Sequence, residues 1–261
     1  MKSRSARLLL IVFSCTTLLG CNRFYLSNTI TPAALAAQVN QAPRTVQSLK
    51  GFVRVQIQSP IGNYVLGQKL WYAQPDKLRL EIVGIFGIPA ILVTIQAEDF
   101  QLFIPVRDIL IKGKTPDLGP AFSINDLLSG FLYGSRLETP TAGSVTLEEN
   151  SAYYRVSWSD GGYRQQALID KKSRIIVRQR TLGNKDGALV REVDRTSLIK
   201  AGGSYYPRRI SIYDREQRQK VTFLFSQLEF DPTIPADTFI IKLPKQYEEK
   251  SLADFMKDYP F

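Results

Sequence analysis

The stretch Val53-Arg54-Val55-Gln56-Ile57-Gln58 alternates apolar and polar residues at every position. Successive side chains of a β-strand point to opposite faces of a sheet, so this period of two predicts a strand with one face in a core and the other in water. The segment Ser59-Pro60-Ile61-Gly62-Asn63 follows at once and has the composition of a turn. The stretch therefore predicts one arm of a hairpin in an antiparallel sheet.

The same alternation recurs along most of the chain. Apolar residues occupy every second position in residues 78–82, 100–104, 154–158, 175–177, 210–212 and 221–225. Turn-forming residues separate these segments, at 75–76, 105–108, 160–162 and 183–187, and a last short strand is expected at 239–243. We therefore predict a mainly β protein of about 11–13 antiparallel strands, a length at which a single sheet tends to curl.

Helical patterns lie at both ends of the predicted sheet. Thr31 suits an N-cap and Pro32 the first helical position, so we predict an Ala-rich helix to about Asn40, with Leu35 and Val39 as its apolar positions. In the C-terminal tail, a short helix is expected with Ser251 as its cap. Its apolar face would hold Leu252, Phe255, Met256 and Tyr259.

The clearest helical pattern lies in mid-chain, between Ser123 and Gly134. Residues 123–126 have the shape of a capping box. Apolar residues then recur at the spacing of one helix face: Ile124, Leu127, Leu128, Phe131 and Leu132. We predict an amphipathic helix whose apolar face packs on the concave side of the curled sheet. Periodicity alone fits a permanently packed helix as well as a helix that moves.

The N-terminus has the pattern of a lipoprotein signal. Cationic residues in the first seven positions precede a mostly apolar stretch, residues 8–19, that is too short to span a membrane. Residues 18–21, Leu-Leu-Gly-Cys, look like a bacterial lipobox, which implies cleavage before Cys21 and acylation of its thiol. An ordinary secretion signal with a chance cysteine is the alternative. Asn22 in place of Asp favours the outer membrane, by the sorting rule of enteric bacteria.

The charge of the chain is positive and locally concentrated. The formal net charge is +10, and residues 155–220 contain 16 Lys or Arg against 7 Asp or Glu. Export excludes nucleic acid as a partner, which leaves an anionic membrane surface or an acidic protein. A solvated arginine-rich strand face explains the same composition.

The residues that enzymes use are scarce in this chain. It has no histidine, which removes histidine-based acid–base catalysis, Ser-His-Asp triads and the usual zinc sites. Ser197 and Lys200 fit a Ser-x-x-Lys pattern, but they lie in a predicted strand, whereas that chemistry needs them one helical turn apart. Glu148 and Glu149 are adjacent and should diverge on a strand. We expect no catalytic site, no cofactor and no metal.

The order of these features resembles the LolA/LolB lipoprotein-localisation superfamily. The matching pieces are the first helix running into 46–51, residues 75–81, the loop 84–89, the mid-chain helix and residues 234–239. The resemblance implies an unclosed antiparallel β-barrel with a helical lid and an apolar cavity for acyl chains. The lipobox places the chain nearer LolB. The expected organisation is a signal at 1–20, a lipidated tether at 21–30, a half-barrel domain at 31–244 and a tail at 245–261.

The resemblance also implies two sites. The apolar face of the mid-chain helix, given above, would form the lid and part of the cavity. The loop 84–89 would protrude, with Ile85 and Phe86 dipping into a membrane. Its glycines and proline are turn residues, yet Ile85 and Phe86 are large and apolar where a solvent-exposed turn is normally polar. Folding back to plug the end of the barrel is the alternative for these two side chains.

Two functions remain open at this point. The first is a monomeric outer-membrane lipoprotein facing the periplasm, which binds acyl chains and receives or transfers lipoprotein or lipid, with a soluble LolA-like carrier as a partner. The second is a structural or sensor lipoprotein of the same fold that acts through a protein partner. A phenylalanine in a cavity and one in a filled core look alike in sequence.

Overall fold

A computed structural model describes residues 24–27, 29–41, 46–84, 87–118, 137 and 145–258. Within them, 15 strands form a single sheet whose two edge strands, β1 and β15, do not pair with each other. The strands of the first half are β1 (Tyr25–Leu26), β2 (Ser48–Ser59), β3 (Gly62–Ala73), β4 (Lys77–Val83), β5 (Pro89–Gln96), β6 (Asp99–Ile104) and β7 (Ile109–Lys114). Those of the second half are β8 (Thr146–Glu149), β9 (Tyr153–Asp160), β10 (Tyr163–Asp170), β11 (Ile176–Gly183), β12 (Leu189–Ala201), β13 (Ser204–Asp214), β14 (Gln219–Phe230) and β15 (Glu248–Ser251).

The sheet consists of two antiparallel meanders joined side by side. Strands β2 to β7 and strands β8 to β14 each follow chain order, and β14 pairs with β2 to join them. The mainly β architecture predicted from the alternation is confirmed, and so is the unclosed sheet that the resemblance implied. The sheet has more strands than expected because its two edges, β1 and β15, are too short to show alternation. The β15–β7 pair is parallel, unlike the other pairings of the described strands.

One face of the sheet holds the main core, and we name it the concave face, with the opposite face called convex. The register places Val53, Val55, Leu70 and Tyr72 on this face, together with Phe225 across the β14–β2 junction, and all five are buried. Val53, Val55 and Phe225 are alternate residues that the period of two assigned to the core, whereas Leu70 and Tyr72 lie on β3, a strand for which no alternation was noted. The intervening side chains point to the convex side.

The first helix, α1 (Pro32–Asn40), covers part of the concave face. Thr31 caps it as expected, because its Oγ1 accepts a hydrogen bond of 3.2 Å from the Ala34 N–H, and Pro32 is the first helical residue. Leu35 and Val39 are buried, which confirms their prediction. Together with Ala36 they pack in one cluster with residues of β8–β11: Leu147, Tyr154, Val156, Ala167, Ile169 and Ile176.

The segment after β14 corrects one prediction. Residues 239–243 do not form a strand; Ala236–Phe239 is a 3-10 helix, and the chain then crosses the convex face. Ile241 packs there with Phe103 and Leu110, outward-facing apolar residues that would otherwise meet water. Arg79 donates to the carbonyl oxygens of Thr238 and Ile240, at 2.9 and 3.1 Å, and so occupies acceptors that a neighbouring strand would use.

The C-terminal tail joins the same sheet. It contributes β15 and a short helix, α2 (Leu252–Asp258), which Ser251 caps by accepting a hydrogen bond of 3.1 Å from the Asp254 N–H. Leu252 and Phe255 pack against the main core, whereas Met256 is exposed and Tyr259 lies outside the described residues.

Antiparallel pairing sorts the turns onto two ends of the sheet, which we name by their connections. The upper rim carries the connections at 60–61, 84–88, 105–108, 161–162, 184–188 and 215–218. The lower rim carries those at 74–76, 97–98, 150–152, 171–175 and 202–203. Strand β1 starts at the lower rim, since Tyr25 pairs with Glu149 beside the 150–152 turn. No helix in the described part of the chain is long and apolar enough to cross a membrane.

Candidate functional site

The concave face is closed near the lower rim and accessible near the upper rim. The change is clear along β3, where alternate residues from Tyr72 to Tyr64 share this face. Tyr72 and Leu70 are 4% and 1% exposed, whereas Leu66 and Tyr64 are 36% and 48% exposed. An apolar surface is therefore presented to whatever enters from the upper rim.

Neighbouring strands continue this accessible surface. Ile57 of β2 and Val221 and Phe223 of β14 lie at matching register positions and are only partly buried. Ile212 of β13, beside Val221, extends the surface further. Across β13, β14, β2 and β3 the face is thus mainly aliphatic and aromatic, with Gln68 of β3 as a polar exception, and this is the kind of lining that a hydrocarbon chain requires.

A polar strip on β10–β12 borders the apolar surface. Thr181 donates a hydrogen bond of 2.9 Å to Gln165, and Arg195 donates one of 3.2 Å to Gln179. Arg195 is almost fully buried, and burial lowers its pKa to about 10, although the nearby charge of Asp194 opposes this shift. The concave face thus combines an apolar region with a polar edge that includes one buried cation.

Three turns of the upper rim expose aliphatic side chains. Ile61 lies between β2 and β3, Ile88 between β4 and β5, and Val106 between β6 and β7, and they are 85%, 63% and 81% exposed. The sequence contained this signal, because an apolar residue stands inside each turn. As turn segments, 59–63 and 105–108 predict only breaks between strands, so the sequence pattern does not identify Ile61 and Val106 as candidate surface residues.

The tip next to Ile61 is cationic. The β13–β14 turn lies beside the β2–β3 hairpin and exposes Arg215, Arg218 and Lys220 against the single exposed carboxylate of Glu216. A groove of about 650 Å³ opens here between β12 and the β13–β14 hairpin, lined by Val190, Tyr213, Arg215, Glu216 and Arg218. Part of the basic segment 155–220 therefore lies on the same rim as the apolar tips.

Other cations of the basic segment form ion pairs on the convex face. Arg178 bonds Asp194 and Arg180 bonds Glu192, across the β11–β12 pair, and Arg155 bonds Glu148 at 2.7 Å. These side chains match the solvated strand face that the composition also allowed, and pairs of this kind on a surface add little stability.

The chain after position 23 is attached at the lower rim. Arg155 stacks over the Phe24 ring with 4.3 Å between its guanidinium carbon and the ring centroid. Thr29 Oγ1 donates to the buried Glu149 carboxylate at 3.1 Å, and Lys171 Nζ donates to it at 2.6 Å. The hydrogen bond from Lys171 holds the pKa of Glu149 below its ordinary value. This acid and its partners join the N-terminal segment to β8 and to the β10–β11 turn.

The expected site residues lie outside the described residues. This applies to Cys21, to the loop residues Ile85 and Phe86, and to the lid residues Ile124, Leu127, Leu128, Phe131 and Leu132. Their described neighbours are informative: Ile88 is exposed next to the loop, and Leu137, which follows the mid-chain segment, is buried. Asn40 of α1 holds Leu137 through its side-chain amide, which accepts from the Leu137 N–H at 2.9 Å and donates to its carbonyl at 3.3 Å.

The Ser-x-x-Lys pattern and the paired carboxylates both lie in strands, as the sequence predicted. Ser197 and Lys200 both lie in β12, not on a helix turn, and Ser197 has a positive φ of 56°. Glu148 and Glu149 have separate partners, Arg155 and Lys171. In the described part of the chain, no three acidic residues cluster in a way that could hold a metal ion.

The chain is similar to known proteins in its structure and not in its sequence. No family model matches the chain, and no curated protein matches its sequence. A DUF1329 family protein from Desulfovibrio piger aligns over 78% of this chain and 94% of its own, at 14% identity and a TM-score of 0.55. The LolA superfamily protein NE2245 from Nitrosomonas europaea aligns over 82% and 99%, at 12% identity and a TM-score of 0.52.

A third structure agrees with these two. A domain from Vibrio parahaemolyticus, described as an outer membrane lipoprotein-sorting protein, aligns over 79% of this chain and 94% of its own, at 13% identity and a TM-score of 0.52. The chain is thus a large open half-barrel, antiparallel except for the β15–β7 pair, around a mainly apolar concave face. Within that class it has the LolA/LolB-like fold, as the resemblance in sequence implied. Identities this low show the fold alone.

Proposed function

We propose that this protein binds acyl chains on the concave face and transfers lipid or lipoprotein at the outer membrane, without making or breaking a bond. The observation that carries the proposal is the accessible apolar surface formed by Ile57, Tyr64, Leu66, Val221 and Phe223, which opens at the upper rim. Burial of each methylene group of a bound chain contributes about 0.8 kcal/mol. The polar strip beside it supplies hydrogen-bonding groups for the headgroup end.

Three further elements of the proposal concern residues outside the described part of the chain. Cys21 carries the lipid that anchors the protein, so that it faces the periplasm. The apolar side of the segment around Leu127, Leu128 and Phe131 closes over the bound chain. Ile85 and Phe86 enter the membrane during delivery. The exposure of Ile88 and the burial of Leu137 support the last two roles.

A matched pair of substitutions on β3 tests acyl binding. Leu66 lies on the concave face and Val65 on the convex face of the same strand, and both are at least partly exposed, so either should accept a charge without unfolding. In the chain from Asn22 onward, L66E should weaken binding of a fluorescent fatty acid at least tenfold, while V65E should bind normally. Equal binding by both variants, or none by the parent, would contradict the proposal and favour the sensor function.

The anchor and the loop have their own tests. The variant C21S should lose metabolic labelling with palmitate, and unchanged labelling would exclude acylation at this residue. The variant F86E should fold and bind the fatty acid normally while delivering cargo to liposomes more slowly. If F86E unfolds, Phe86 is instead a plug of the barrel end.

A further inference from the structure

The exposed aliphatic tips occur on one rim of one half of the sheet. Ile61, Ile88 and Val106 occupy the three upper-rim connections of the β2–β7 meander. Single exposed aliphatic residues are common on proteins and need no explanation. Successive tips of a meander are related by two strand spacings, roughly 10 Å, so these three line about 20 Å of the same rim. Three aliphatic tips in a row form one surface.

The opposite rim of the same meander serves as an internal control. Its connections carry Gln74, Pro75 and Asp76, and Ala97 and Glu98, with Asp76 and Glu98 exposed. Both rims carry short connections between the same strands, so the topology alone does not explain the aliphatic residues on one rim. The difference indicates that the upper rim meets something less polar than water.

Charge identifies what the upper rim meets. Arg215, Arg218 and Lys220 are exposed on the adjacent tip, and two of them line the groove described above. Aliphatic residues that enter the acyl boundary, with cations beside them at headgroup depth, are the combination that binds an anionic bilayer. An acidic protein partner would match the arginines but would leave three large aliphatic tips without an equivalent.

We propose that the upper rim docks on an anionic phospholipid bilayer, with Ile61, Ile88 and Val106 inserted and the Arg215–Lys220 tip on the phosphates. Ile61 and the Arg215–Lys220 tip lie at the upper ends of the strands that form the accessible concave face, so a bound chain leaving at this rim would enter the lipid beside them. This inference rests on the proposed function, because it assumes that the protein acts at a membrane. It adds Ile61, Val106 and the Arg215–Lys220 tip to the 84–89 loop, in which Ile88 lies.

Liposome flotation tests the docking surface without the anchor. The chain from Asn22 onward retains every described residue. It should bind vesicles of phosphatidylcholine and phosphatidylglycerol, and the triple variant I61S/I88S/V106S should bind at least tenfold more weakly. The control L26S/I240S/M256S, which removes exposed apolar residues away from the upper rim, should bind normally. The pair R215Q/R218Q should lose about fivefold per charge on anionic vesicles and nothing on neutral ones.

A direct depth measurement covers the case in which the triple variant unfolds. The chain from Asn22 onward contains no cysteine, so a single nitroxide can be placed at I61C, or at D76C on the lower rim. On anionic vesicles the label at position 61 should become accessible to oxygen and shielded from a nickel chelate, while the label at 76 should stay in water. Labels that both stay in water would overturn the proposal.

Further outcomes separate the competing explanations. The docking proposal would also be overturned if the parent chain failed to bind vesicles. The same holds if the L26S/I240S/M256S control lost as much vesicle binding as I61S/I88S/V106S. A dimeric parent that I61S/I88S/V106S converts to a monomer would assign the tips to a second copy of the chain instead. Fatty-acid binding by the triple variant tests the proposed function separately: membrane docking can fail while acyl binding persists, and the reverse.

Discussion

The two rims of the β2–β7 meander are built by the same strands and differ in almost everything else. At the lower rim the concave face is closed and the turns expose the carboxylates of Asp76 and Glu98. At the upper rim the same face is accessible and the turns carry Ile61, Ile88 and Val106. The fold does not by itself require the two rims to differ, because the strands alternate apolar and polar residues in the same way near both rims. The asymmetry is therefore the best guide to where the protein acts.

The largest expected effect comes from truncating the closed end. The variant L70A removes a fully buried side chain and should lower the free energy of unfolding by about 2–5 kcal/mol. The variant L66A, four residues along the same strand and face, should lower it by less than about 1 kcal/mol, since Leu66 is already partly exposed. Urea denaturation of both measures the contrast. Equal losses would mean that the concave face is packed uniformly and is not accessible at the upper rim.

An intermediate effect is expected at the lower-rim attachment of β1. The lowered pKa of Glu149 means that its ionised form stabilises the pairing above the ordinary glutamate value of 4.5. That contribution is lost as the pH falls below 4.5 toward the lowered pKa. Relative to the intrinsic exchange rate at each pH, the amide hydrogens of residues 25–27 should therefore be less protected in acid, and also less protected at neutral pH in K171M. Amides of β3 serve as the control, and a uniform change in both regions would indicate global unfolding instead.

The smallest effect on stability should come from the tips themselves. Ile61 and Val106 are more than 80% exposed, so I61S and V106S should change the free energy of unfolding by less than about 0.5 kcal/mol. Thermal unfolding in buffer and with anionic vesicles gives the measurement. In buffer the variants should match the parent; with vesicles only the parent should shift. A large loss in buffer would make the tips structural.

Alternation predicted most of the fold because half-buried strands must show it. Residues 53–58 and 221–225 alternate, and both are strands with the expected inner face. Strands β1 and β15 escaped prediction because two and four residues at a sheet edge bury too little for a pattern to form. Residues 239–243 were assigned to a strand because apolar residues on a sheet's convex cover resemble those of an edge strand.

The candidate site was less predictable than the fold. The polar strip depends on Arg195, a cation on the buried face of a strand, where alternation would place an apolar residue. Ile61 and Val106 can be identified as parts of one surface only because the topology brings their turns to the same rim. A local sequence pattern does not contain that information. Sequence could identify apolar residues inside turns but not their alignment.

The attachment of β1 also limits how far the folded domain can move from a lipid anchor on Cys21. Two residues separate Cys21 from Phe24, and three Cα steps span at most about 11 Å. A lipid on Cys21 would therefore hold the lower rim close to the bilayer in which that lipid is inserted, for as long as β1 stays paired. The 12-residue strands would then hold the tips roughly 40 Å away, facing the opposite direction. If β1 unpairs, eleven Cα steps separate Cys21 from Pro32. They span about 36–40 Å at full extension, which is long enough for the domain to turn over. The two-residue pairing of β1 would thus decide which bilayer the tips can reach.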